Sequence, residues 1–111
     1  MANASYQDIS IDEYQAQFEQ SQQDYMLVDV RETDEYAAGR IPGAVNLPLT
    51  ELQARYNELP QDKTLVLVCA RGGRSAQAAT FLATQGYDQD LYNLTDGTMG
   101  WMEEGLPVEQ D

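Results

Sequence analysis

The chain has 111 residues, 42% of them hydrophobic and 23% charged, which fits one domain over residues 1–111 and leaves no room for two ordinary ones. Nineteen acidic residues against six basic ones give a net charge of −13, which excludes a cationic footprint for nucleic acid and fits either a solvated surface or docking on a basic partner. No apolar run approaches the ~18 residues a membrane span needs, and Met1-Ala-Asn-Ala-Ser-Tyr6 has no basic segment leading into an apolar core, so a soluble cytoplasmic protein with no membrane partner is expected.

In chain order, the spacing predicts alternating strands and helices. Ser10 and Glu13 have the form of a capping box, and Ile11, Tyr14 and Phe18 fall on one helical face, so a short strand near Ile9 leads into a first helix. Tyr25-Met-Leu-Val-Asp-Val30 is a short continuous apolar run, the pattern of a strand buried on both faces, with Asp29 and Arg31 at its end. Thr33 is a candidate cap for a brief helix through Ala38 that Gly39 ends, and Val45-Asn-Leu47 reads as an edge strand. Thr50 and Gln53 suggest a second capping box for a helix carrying Leu52, Tyr56 and Leu59, ended by Pro60. Thr64-Leu-Val-Leu-Val-Cys69 is the next strand, followed by a Gly and Arg turn and a helix with Ala79, Leu82 and Ala83 on one face and Gly86 at its C-cap. Leu91-Tyr-Asn-Leu94 and a helix from Gly97 to Glu104 complete the order. Such alternation predicts an α/β fold with a parallel sheet covered on both faces.

In open parallel sheets ligands sit outside the carboxyl ends of the strands. That edge is expected to gather Arg31, the loop Cys69-Ala70-Arg71-Gly72-Gly73-Arg74-Ser75 and Asp96-Gly97-Thr98, so three of six basic residues converge as a local anion trap. Cys69 is the only cysteine, which precludes an internal disulfide and agrees with a reducing compartment. Its thiol reacts as thiolate, and a helix N-terminus, converging amides and nearby arginines all favour the anion. Gly72 and Gly73 suit a turn whose N–H groups face inward, since glycine accepts φ > 0. The competing reading of Cys69 is an inert thiol closing a buried strand, but the two arginines and two glycines that follow serve no packing purpose. Asp29 is read either as a carboxylate satisfying local donors or as a direct participant, and Trp101 as core or pocket wall. The absence of histidine excludes Cys–His and Ser–His–Asp catalysis and a His-ligated metal.

At these residues the chain resembles a single-domain rhodanese, with a core of about 9–107. The matching pieces are Leu27-Val-Asp-Val-Arg-Glu32, Glu35-Tyr36, Gly39-Arg-Ile-Pro-Gly-Ala44 with Asn46 and Pro48, the Cys69 to Ser75 loop, Gly86-Tyr87, and Leu94-Thr-Asp-Gly97 with Trp101. The resemblance implies a five-stranded parallel sheet flanked by helices and thiosulfate sulfurtransferase activity, with no metal and no cofactor. It also implies that Cys69 takes sulfur from thiosulfate or another small anionic donor as a persulfide and passes it to cyanide or a thiol. Residues Ala70, Arg71, Gly72, Gly73, Arg74 and Ser75 would bind the substrate, supported by Asp29 and Arg31. With no second cysteine, an external acceptor is required, a sulfur-accepting protein among the candidates.

Phosphatases and arsenate reductases that share this fold carry Cys-x5-Arg, whereas four residues separate Cys69 from Arg74 here. The shorter loop suits a sulfur atom better than a tetrahedral phosphate. A regulatory or scaffold module docking a partner through its acidic surface is the reading from a different class. Two departures from the family pattern stand out: Arg40 replaces the more frequent histidine, and Thr98 takes the place of the second glycine of a Gly-Gly pair, which bears on pocket shape.

Overall fold

The computed structural model describes residues 5–21 and 23–111; residues 1–4, part of the stretch read above for a leader, lie outside them. Five parallel strands, β1 (Gln7–Ile9), β2 (Tyr25–Asp29), β3 (Val45–Asn46), β4 (Thr64–Val68) and β5 (Leu91–Leu94), form one sheet in the order β1-β5-β4-β2-β3. The helices between them are α1 (Ile11–Tyr14), α2 (Thr33–Ala38), α3 (Leu49–Arg55), α4 (Gly73–Thr84) and α5 (Gly97–Glu103). β4 lies at the centre, pairing with β2 through Leu27↔Val66 and with β5 through Val66↔Tyr92. No helix among the described residues is long and apolar enough to cross a membrane.

The two-residue period of the strands sorts the core into two layers. Val66 and Val68 of β4 face a cluster with Ile11, Tyr14, Phe18 and Trp101, under α1 and α5. Leu65, Leu67 and Cys69 face the other, with Leu52, Ala78, Ala79 and Leu82 of α3 and α4. Alternation alone therefore turns the Cys69 side chain toward the face that α4 covers. Side chains such as Leu65 and Leu67 are fully buried, each contributing about 1.5–3 kcal/mol by leaving water.

Several local expectations are corrected. The Ser10 and Glu13 capping box forms, but beyond Tyr14 the chain widens into a π-helical turn over Gln15–Glu19 that sets Phe18 against Tyr25 and Tyr92, ring centroids 4.8 and 5.4 Å apart. Glu32, not Thr33, occupies the N-cap of α2, and the Glu35 carboxylate accepts its N–H at 3.0 Å. Pro48, not Thr50, precedes α3; Thr50 instead donates its hydroxyl to Glu32 at 3.0 Å, tying α3 to α2. Arg40 stacks on the Tyr36 ring at 4.3 Å and pairs with Asp111 at 3.0 Å. Backbone hydrogen bonds run both ways between Arg40 and Glu109, so this departure from the family pattern anchors the C-terminal segment.

Candidate functional site

Cys69 follows the last residue of β4 and is 1% exposed. Its Sγ accepts the Gly72 N–H at 3.1 Å and the Ser75 hydroxyl at 3.3 Å. Burial alone pushes the thiol pKa up, but hydrogen bonds from the Ser75 hydroxyl and from the amides of Ser75, Arg71 and Gly72 outweigh it, and the net shift is downward. The hydrogen-bond donors act most strongly in holding the sulfur toward its anion, and attraction between Arg74 and Cys69 adds to them. Ser75 has one hydroxyl proton and two acceptors, Cys69 Sγ and Asn93 Oδ1 at 2.6 Å. A thiolate is the stronger acceptor of the two, so ionisation draws that proton toward sulfur.

The loop's shape comes from two glycines, only one of which lies within it. Gly72 has φ +94°, and a Cβ there would sit 2.7 Å from the Thr95 carbonyl oxygen. Gly97 has φ +69°, and a Cβ there would lie 2.2 Å from the Ala70 oxygen, closer than any side chain can approach. Gly73 differs from the expectation: it is the first residue of α4, its φ is not positive, and its Cβ position is open space. Beside Gly97, the Thr98 N–H donates to the Cys69 carbonyl at 2.8 Å and the Met99 N–H to Ala70 at 3.1 Å, which fastens the start of α5 to the loop. Thr98 is fully buried here, and its hydroxyl has no hydrogen-bond partner among the described residues.

Arg31, Arg71 and Arg74 do reach the same edge, but each meets a carboxylate. Arg31 is 4% exposed and bound through Nε and Nη2 to the fully buried Asp29, with Nη2 also donating to the Gly39 carbonyl at 2.7 Å. Arg74 binds Glu35 bidentately at 2.8 and 3.0 Å, joining α4 to α2. Those hydrogen bonds hold the Glu35 carboxyl down from 4.5 to about 2. Arg71 pairs with Glu103 on α5, at 2.5 and 3.2 Å, with both side chains about 60% exposed. Positive charge at the loop is thus matched by negative charge, and the edge carries no uncompensated anion trap.

Four residues outside the predicted site set, two of them (Glu35 and Asn46) part of the family resemblance, complete the arrangement. Asn93 accepts from Ser75 and donates to the Gly72 carbonyl at 3.3 Å, so it positions both donors to Cys69. Its signal was a polar residue at an inward position of an apolar strand, which needs a buried partner. Asn46 donates to the carbonyls of Asp29 and Arg31 at 2.9 and 3.0 Å, and Glu35 and Glu103 hold two of the arginines. Two clefts lie elsewhere: cavities of about 280 Å³, beside Tyr25 and Val45, and about 160 Å³, beside Gln7 and Leu91, both at the amino edge of the sheet. Among the described residues, no group of three or more Cys, Asp or Glu is placed to hold a metal ion.

A family model for the Rhodanese-like domain matches residues 10–104. The chain belongs to the rhodanese-like domain family. It is 42% identical over 86 residues to a sulfurtransferase of Allochromatium vinosum, covering 78% of this chain and 79% of that one. It is 38% identical to a thiosulfate sulfurtransferase of Shewanella oneidensis over 69% of this chain and 75% of the relative. Among solved structures, a rhodanese-related protein from Thermoplasma volcanium superposes with a TM-score of 0.80 at 32% identity, covering 96% of this chain and all of that one. The five-stranded parallel sheet with helices on both faces is the rhodanese-like fold that the resemblance implies.

Proposed function

We propose that this rhodanese-like domain is a sulfurtransferase in which Cys69 carries the sulfur. The observation that supports this most is the set of donors around Sγ, the Gly72 N–H and the Ser75 hydroxyl, which favour the anion despite burial. The thiolate attacks the outer sulfur of thiosulfate or of a persulfide; the donor's sulfur–sulfur bond breaks, and sulfite or a thiolate leaves with the bonding electron pair. Cys69 is left as a persulfide anion whose added charge the same amides can hold. Attack by cyanide, a small thiol or a protein thiol on the outer sulfur then releases thiocyanate or a new persulfide and restores the Cys69 thiolate.

No redox equivalent enters or leaves the cycle. Arg71, in the loop itself, is the exposed arginine within reach of an anionic donor that displaces Glu103, while Asp29 and Arg31 pair at the buried end of β2 and Arg74 ties α4 to α2. The relatives' names support the reaction class, and the need for thiol acceptors suits a reducing cytoplasm. The reading is tested by sulfite release from thiosulfate in the presence of cyanide or a thiol. The wild type should release sulfite and form thiocyanate, with Cys69→Ser inactive; release that persists in Cys69→Ser would remove Cys69 from the reaction.

A further inference from the structure

We propose that Glu103 sets the charge of the sulfur donor this site takes: by occupying Arg71 it disfavours dianionic thiosulfate and leaves the site to sulfane-sulfur donors with one negative charge or none. The inference takes Cys69 as the sulfur acceptor, as above. All six lysine and arginine residues are engaged in ion pairs, on a chain whose net charge is −13. A dianion approaching Cys69 therefore finds no cation waiting for it.

The three arginines at the edge differ in whether a substrate can recruit them. Arg31 is held in a buried pair, and its guanidinium also binds the Gly39 carbonyl. Arg74 is gripped by both oxygens of Glu35, a carboxylate that also binds the Glu32 N–H at the start of α2. Releasing either would dismantle packing. Arg71 is 61% exposed and its one carboxylate partner is 59% exposed, so the pair can open without exposing any core. It also stands two residues from Cys69, with its amide among those that favour the thiolate.

Glu103 is fixed relative to the loop because the other end of α5 is hydrogen-bonded to it through Thr98 and Met99. An anionic donor that pairs with Arg71 displaces Glu103 and then sits near the freed carboxylate. Both costs grow with the donor's charge.

Thiosulfate and methanethiosulfonate make a matched pair of probes, since a methyl group replaces one charged oxygen and the reacting sulfur–sulfur bond is kept. Thiolate attack releases sulfite from the first and methanesulfinate from the second. The experiment follows the rate of Cys69 persulfide formation by intact mass at low and high salt. The wild type should prefer methanethiosulfonate, and its thiosulfate rate should rise with salt as like charges are screened.

Glu103→Gln should raise the low-salt thiosulfate rate constant roughly five- to tenfold and the methanethiosulfonate rate constant no more than about threefold. Glu104→Gln makes the same change in net charge without touching Arg71 and should move neither by more than about twofold. A donor ratio unchanged in Glu103→Gln, or shifted equally by Glu104→Gln, overturns the assignment of Glu103. Absence of a Cys69 adduct with both donors would instead overturn the sulfur-acceptor reading itself.

Discussion

Arg31 and Arg71 each pair with a carboxylate at the carboxyl edge of the sheet, one at 4% exposure and the other at 61%. The difference in water access separates their uses. The buried pair and Asn46 fix the end of β2 beneath the site, where a lost partner would strand a charge in the core. The exposed pair stands in solvent, where ion pairs are individually weak, and its guanidinium remains exchangeable. The same chemistry thus makes a buried brace in one place and an openable surface pair in the other.

Asp29→Ala should destabilise the fold by about 3–5 kcal/mol, because Arg31 is left charged and buried; a urea unfolding curve close to wild type would show the pair to be dispensable. Ser75→Ala comes next, at about 1–3 kcal/mol, since the buried Asn93 Oδ1 loses its donor. That variant should also raise the Cys69 pKa, visible as a thiolate absorbance transition displaced to higher pH, because a leading hydrogen bond to the anion is gone.

Glu35 lies between the extremes, and its folded pKa is below its unfolded one. Its pair with Arg74 therefore contributes fully above about pH 4.5 and is lost as the pH falls toward about 2. Acid unfolding of Glu35→Gln should be less steep over that window. At the rim, Glu103→Gln should leave the thermal midpoint unchanged within error while altering donor preference; a clear loss of stability would make that pair a brace as well.

What the sequence makes legible follows from range. Strand and helix order, the two-faced core and the position of Cys69 depend on periods of two and three to four residues, and all can be read along the chain. The carboxylates that neutralise the arginines cannot, because Glu35 lies 39 residues from Arg74 and Glu103 lies 32 from Arg71. The assignment of turn glycines holds for Gly72 and fails for Gly73, for a related reason. What demands glycine beneath the loop is Gly97, whose neighbour across the fold is the Ala70 carbonyl, while Gly73 has already entered the helix. Local sequence placed the nucleophile candidate; only the tertiary structure shows which carboxylates balance the arginines around it.

Storage of sulfur on Cys69 is tested most directly by intact-mass measurement after exposure to a sulfane-sulfur donor. The expected result is a gain of about 32 Da, one sulfur atom, that maps to Cys69, disappears on adding a thiol or cyanide, and is absent from Cys69→Ser. An unmodified mass with thiosulfate, methanethiosulfonate and an alkyl persulfide alike would contradict it.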